Sequence, residues 1–187
     1  MEPLRLDAAQ LTELAPQLDA GSRILLSGFV YTARDAAHKK IAAILRSGGV
    51  PPFEPRGAVI YYAGPTQAPR GLPIGSCGPT TSARMDPYTP SLLERGLAAT
   101  IGKGERSEAV CEAIRRYRSV YLCALGGAGA LACRCIKSCE VVAFEELGCE
   151  SVKRLYFEDF PLFVAIDCHG GNLFEQGRAE WAGKARA

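Results

Sequence analysis

The chain lacks the features that would tie it to a membrane or to a polyanion. Its 22 lysines and arginines almost cancel 20 aspartates and glutamates, leaving a net charge of +2. So small an excess gives no general attraction to nucleic acid or to an anionic bilayer, and any basic site has to be local. No apolar run is long enough to span a bilayer, since the longest, SVYLCALGGAGALAC, is short and rich in glycine. The opening residues MEPLRLDAAQ are acidic and polar, without the apolar centre of a secretory signal. A cytoplasmic chain with reduced thiols is therefore expected, and most of its eight cysteines read as small buried hydrophobes rather than disulfide partners. Internal repeats and low-complexity linkers are also missing. Residues 1–187 read as one domain, large enough to bury a core without staples.

What is present is an alternation of strand-like and helix-like stretches, which argues for a single α/β domain. A short helix is expected over residues 8–14. SRILLSGFVYT (22–32) is an apolar, β-prone run. ARDAAHKKIAAILRSGG follows with helical periodicity, placing Ala37, Ile41, Ala42 and Leu45 on one face and closing on Gly48 and Gly49. GAVIYYAG (57–64) is a second strand, LAATIG a third and SVYLCAL a fourth. A short helix falls at about 90–96, and Ser107 is positioned to cap the helix SEAVCEAIRRY. GGAGALACRCI suggests a glycine-started helix and CEVVAFEEL a strand, while KRLYFEDFPLFVAID reads as two strands broken near Pro161. The polar tail from about residue 172 is expected to fray.

The stretch GSCGPTTSARMDPYTP (75–90) packs glycines, prolines, hydroxyls and an arginine into sixteen residues. A plain turn needs fewer special residues, so the choice lies between a shaped binding loop and a tight structural corner. Three basic residues share a similar setting, where a strand gives way to a loop or helix: Arg34, Arg84 and Lys103. Lys103 lies between two glycines in IGKGE, where backbone can approach a ligand closely. Arg84 follows the hydroxyls of Thr80 and Thr81. Arg34 opens a helix, where the dipole disfavours a cation, and an anion bridging guanidinium and helix start would offset that cost. Singly these are ordinary surface cations; converging, they suit a small di- or tricarboxylate. His38, four residues after Arg34, shares its helix face and is the side chain best suited to proton transfer near neutral pH.

Three other motifs carry less. GLAATIGKGE resembles a phosphate-binding loop but has the wrong glycine spacing, with Gly104 where a magnesium-binding hydroxyl belongs. GGAGALA matches G-x-G-x-x-A at Gly127, Gly129 and Ala132, with Glu145 and Glu146 near the place of a ribose-binding acid, so a dinucleotide site stands against a tightly packed helix start. CRCIKSC brings Cys133, Cys135 and Cys139 together without a clear fourth ligand; on a helix Cys135 and Cys139 would share a face.

GFVYTARDAAHKKI, VIYYAGPTQAP, IGSCGPTTSARMDPYTPSLLERG, IGKGERS and ELGCESVKRLYFEDFPLFVAID follow one another in this order. Together they resemble the β subunit, or C-terminal domain, of class I fumarate hydratase and its relative L-tartrate dehydratase, from about Leu4 to Asp167. The resemblance implies a swivelling β/β/α domain and a hydro-lyase that interconverts fumarate and (S)-malate, or dehydrates L-tartrate. It further implies an α subunit, in a heterotetramer of two α and two β chains, that carries a 4Fe-4S cluster, with no metal in this chain. Arg34, Arg84 and Lys103 match the substrate contacts, Thr80 the proton-abstracting group, and His38 a histidine considered part of the site. No membrane or nucleic-acid partner is implied. A dicarboxylate-binding module without catalysis, and a nucleotide-binding dehydrogenase, stand as alternatives.

Overall fold

Period-two burial sets the frame. In β2 (Arg23–Thr32) the even-numbered residues Ile24, Leu26, Val30 and Thr32 are buried, as expected where one strand face meets a core. A computed structural model of the chain describes residues 2–184. β1 (Leu4–Asp7) is a short strand with no counterpart in the sequence reading; it pairs in parallel with the first half of β2, Leu4 opposite Ile24. Between them, residues 8–17 form not one helix but two turns of 3-10 helix around α1 (Leu11–Leu14).

β2 is followed in space by β3 (Val59–Tyr61), β4 (Ala99–Gly102) and β5 (Val120–Cys123), all parallel. Parallel neighbours need crossovers, and α2 (Asp35–Arg46), α3 (Thr89–Glu94) and α4 (Glu108–Tyr117) lie in them. The long β7 (Val152–Ile166) runs antiparallel to both β5 and β2, closing a barrel-like ring. β6 (Ile136–Ala143) pairs with the first half of β7. The domain is thus mixed α/β around a closed sheet. Val59, Tyr61, Ile101, Leu122 and Phe157 fill the inside, whereas Ile60, Tyr62 and Tyr121 pack outward on Ile41, Leu92 and Ile114 of the helices.

β7 is one strand, not two broken near Pro161. The irregularity is a bulge: Leu26 faces Phe160 and Gly28 faces Phe157, so β7 carries one extra residue there, with Asp159 at φ +51°. Pro161 sits between the stretch paired with β6 and the stretch paired with β5, where one edge of β7 has no strand partner. A missing N–H is tolerated there. α5 is confined to Gly129–Cys135 and β6 starts at Ile136, three residues before the expected strand. Its end falls at Ala143 because Phe144 turns left-handed (φ +57°) into a 3-10 segment, Glu145–Glu150. In α2, Ala37 and Ile41 are buried as expected, while Ala42 and Leu45 are only partly so. The polar tail is helical as α6 (Leu173–Lys184). Among the described residues no helix is long and apolar enough to cross a membrane.

Candidate active site

Four parallel strands end on the same side of the barrel, and the loops leaving their carboxyl ends carry the polar residues of interest, the usual location for a site in such sheets. Arg34 lies two residues past the end of β2, at the cap position of α2, with extended backbone. Its Nη2 is 3.2 Å from Glu150 Oε1, and Glu150 Oε2 accepts the Ala36 N–H at 2.8 Å. One carboxylate therefore serves both the helix start and the guanidinium. The anion expected at this junction comes from the chain itself, delivered by the segment that precedes β7.

Asp35, the first residue of α2, supplies a second carboxylate. Its Oδ2 accepts Arg34 Nε at 3.2 Å and lies 2.8 Å from Arg84 Nη2. Burial works to raise the Asp35 pKa, but its own backbone N–H and the two arginines outweigh burial and hold it below the ordinary value. Arg34 and Arg84, fifty residues apart in sequence, thus meet at one oxygen. Gly64 makes room: a Cβ there would stand 2.9 Å from Arg34 Nη1.

Thr80 and Lys103 are joined through backbone. The Thr80 N–H donates to Tyr62 O (2.6 Å), the Lys103 N–H to Thr80 O (3.3 Å) and the Ser82 N–H to Lys103 O (2.9 Å). Residues 79–82 thereby extend the ends of β3 and β4, with bridges Ala63 to Pro79 and Thr81 to Lys103. Arg84 rides on the 3-10 turn that follows, Ser82–Met85. Ser82 Oγ pairs with Tyr121 OH at 2.8 Å and occupies the space a side chain at Gly102 would need. Thr80 and Lys103 are half-buried. Among the described residues, neither the Thr80 hydroxyl nor the Lys103 ammonium has a hydrogen-bond or ion-pair partner, so both remain available to a ligand.

Sequence reasoning missed the group that ties these loops together. The Arg106 guanidinium is fully buried; its Nε donates to Asp86 Oδ1 (2.7 Å), and its terminal nitrogens to Thr100 Oγ1 (3.1 Å), Thr89 Oγ1 (2.8 Å) and Tyr62 OH (3.4 Å). It also lies over the rings of Tyr62 and Tyr121. Asp86 Oδ2 accepts the Ser107 N–H at 2.6 Å. Ser107 does stand at the cap position of α4, yet its hydroxyl makes no capping bond; Asp86 takes one backbone donor there. The only sequence signal was an Asp and an Arg in the two loops already singled out.

Among the described residues the His38 ring makes no hydrogen bond to the three cationic groups. Its ring is completely buried, 5.4 Å from the Tyr62 ring and 5.8 Å from the Tyr88 ring. Nδ1 is 3.3 Å from Arg34 O, and Nε2 has no partner. Burial, with the Arg106 charge, pushes its pKa down to about 4, against the upward pull of the Arg34 carbonyl and the Asp35 carboxylate. Sharing a helix face with Arg34 does not bring this ring to the surface.

The weaker motifs resolve into packing. Gly102 of the apparent phosphate loop is in strand β4. A side chain at Gly129 would collide with Ser76 Oγ, and Gly129 O accepts the Cys77 N–H, so a loop of the same chain fills the space before α5. Glu146 pairs with Lys40. Cys135 and Cys139 share no helix face, one ending α5 and the other lying in β6. Cys133 Sγ bonds Ile74 O at 3.2 Å, and burial raises the pKa values of Cys77, Cys135 and Cys139. No metal-binding group of His, Cys, Asp and Glu occurs among the described residues.

Comparison with known proteins gives this arrangement a family. Residues 1–177 match the profile of the family described as Fumarase C-terminus. "Fumarate hydratase class I, anaerobic" of Escherichia coli is 38% identical over 176 residues, covering 93% of this chain and 31% of that protein. "Fumarate hydratase 1, mitochondrial" of Leishmania major is 40% identical over 157 residues, 83% of this chain and 29% of that one. The protein of Methanocaldococcus jannaschii named "Putative L(+)-tartrate dehydratase subunit beta" is 37% identical over 166 residues, 86% of this chain and 85% of its own length. The chain spans less than a third of these two fumarate hydratases but most of the tartrate dehydratase subunit. On a profile match over nearly its whole length, the chain belongs to the fumarase C-terminal family.

Proposed function

We propose that this chain is the β subunit of a two-subunit hydro-lyase that hydrates fumarate reversibly to (S)-malate, and that its closed barrel is the swivelling β/β/α domain the family likeness implies. The observation that carries the reading is the meeting of Arg34 and Arg84 at one carboxylate oxygen, with Thr80 and Lys103 on adjoining backbone. A site that grips one carboxylate in this way is suited to another.

The 4Fe-4S cluster implied by the resemblance finds no fit here. No group of three or more His, Cys, Asp and Glu side chains that could hold a metal occurs among the described residues, and burial favours the neutral thiol at Cys77, Cys135 and Cys139. In this reading the α chain holds the cluster, and the two chains assemble as two α and two β. The roles left to this chain are binding and proton transfer. Removing the elements of water from malate takes a proton from the carbon next to a carboxylate, and negative charge builds on that carboxylate. Arg34, Arg84 and Lys103 bind and orient the two carboxylates and stabilise that charge, an effect much larger in a closed cleft than in water. Thr80 takes the proton. Its hydroxyl is a weak base unless a nearby cation lowers its pKa, which is the service Lys103 renders. His38, neutral and fully enclosed, is the less supported base.

Mixing the chain with its α subunit under anaerobic conditions and following fumarate absorbance tests the reading. Turnover by the mixture and none by either chain alone is expected; dicarboxylate binding without turnover would leave a binding module instead. Thr80→Val is expected to abolish turnover and His38→Asn to spare most of it, and near-normal turnover of the Thr80 variant removes Thr80 from the base role. Dehydration of L-tartrate is the second reading. It is favoured by the relative matched along most of both chains, and assaying both substrates with the same complex decides between them.

A further inference from the structure

We propose that Asp35 is a positioning residue, aligning Arg34 and Arg84 as a pair so that both guanidiniums face the same substrate carboxylate. The inference rests on the dicarboxylate reading above and adds a residue that the reading did not include.

The two arginines come from separate places, the β2–α2 junction and the 3-10 turn after GPTTSARMD, so local chain geometry does not set their mutual placement. Two guanidiniums brought to one site repel each other, and each long side chain has rotamer entropy that must be given up to hold one pose. A carboxylate between them opposes both effects. Asp35 fills that position with a single oxygen, 3.2 Å from Arg34 Nε and 2.8 Å from Arg84 Nη2. It is itself held firmly, as the first residue of a twelve-residue helix whose dipole favours an anion there.

The pairing is unequal. Arg34 is held on a second side by Glu150 and faces Gly64 on a third. Arg84 is half exposed, and among the described residues its guanidinium has Asp35 as its ion-pair partner and no other. Loss of the Asp35 carboxylate should therefore release Arg84 first.

A mere charge-trimming role gives the opposite sign. Removing a negative charge from a cationic site strengthens anion binding if charge alone matters, and weakens it if alignment matters, since a displacement of about 1 Å can cost up to ~100-fold in rate. The two are separated in the assembled α–β complex by kcat and KM for whichever substrate turns over, and by the inhibition constant of succinate, an unreactive dicarboxylate. Asp35→Asn is expected to raise both KM and the succinate constant by about tenfold or more. Combined with Arg84→Lys it should be no worse than the poorer single variant, since the two residues act as one unit. Asp35→Glu keeps the charge but moves it by one methylene; it should also weaken succinate, whereas a charge-only role predicts wild-type behaviour, and this variant decides the matter if the Asn variant fails to assemble. Tighter or unchanged succinate binding, or additive effects in the double variant, overturns the proposal. If Arg34→Lys and Arg84→Lys both behave as wild type, the dicarboxylate reading falls with it; if they are impaired while both Asp35 variants are not, only the role of Asp35 falls.

Discussion

The Asp86 carboxylate meets the Arg106 guanidinium at 2.7 Å, and the arginine side chain is 0% exposed. This pair, at the foot of the two loops that carry Arg84 and Lys103, couples the formation of the site to the stability of the barrel end. Removing one partner strands a buried charge, which typically costs about 3–5 kcal/mol. Asp86→Ala is expected to destabilise the chain by that amount in urea unfolding, and Asp86→Asn, which keeps one acceptor oxygen for either Arg106 or Ser107 but turns an N–H towards the other and leaves the Arg106 charge unpaired, by somewhat less.

Gly64 offers a change that should separate activity from stability. An added methyl would press on the Arg34 side chain, with Nη1 2.9 Å and Cδ 3.1 Å away, rather than on backbone, and the glycine has no positive φ to lose. Gly64→Ala should leave the melting temperature within about 2 °C, in line with a change below 0.5 kcal/mol, while reducing kcat/KM of the proposed α–β complex severalfold. A large fall in melting temperature would show that Arg34 cannot yield.

His38 predicts a pH dependence of stability. Its ring is held neutral, with a pKa of about 4 against an ordinary 6.5, so the unfolded chain binds the proton more readily. Stability is then complete above pH 6.5 and declines as pH falls towards 4, by on the order of 3 kcal/mol. Urea unfolding of wild type and His38→Phe at pH 7.5 and 4.5 checks this: the variant, with an apolar ring between Tyr62 and Tyr88, should lose less stability on acidification. Equal losses would mean that other groups carry the acid sensitivity.

The cysteines should differ sharply in reactivity. Burial pushes the Cys77 thiol up to about 12, whereas Cys149 is exposed. Brief treatment of the folded chain with iodoacetamide, read by peptide mass spectrometry, is expected to modify Cys149 and spare Cys77 and Cys133. Rapid labelling at Cys77 would show that the loop over β3 opens freely.

Much of the architecture was readable because its causes are local. The β-prone run of β2, the helical spacing of Ala37 and Ile41, and the hydrophobic runs of β3 to β5 are short-range patterns, and they fall where expected. β1 was not legible: four residues, two of them charged and none buried, become a strand only because β2 offers an edge. β7 was misread as two strands because a proline suggests a break, and only the gap between its β6 and β5 partners makes that proline harmless.

By itself the sequence determined the sites of the candidate groups, since Arg34, Thr80, Arg84 and Lys103 stand beside turn-forming residues that mark the ends of strands. Only the tertiary structure decided their company: Arg34 joined to Arg84 through Asp35, Glu150 serving the start of α2, Arg106 sealed under both loops, and His38 turned into the core. The reason is physical. Burial and charge pairing depend on groups that folding draws together from tens or more than a hundred residues apart, and no local pattern along the chain records which of them will meet.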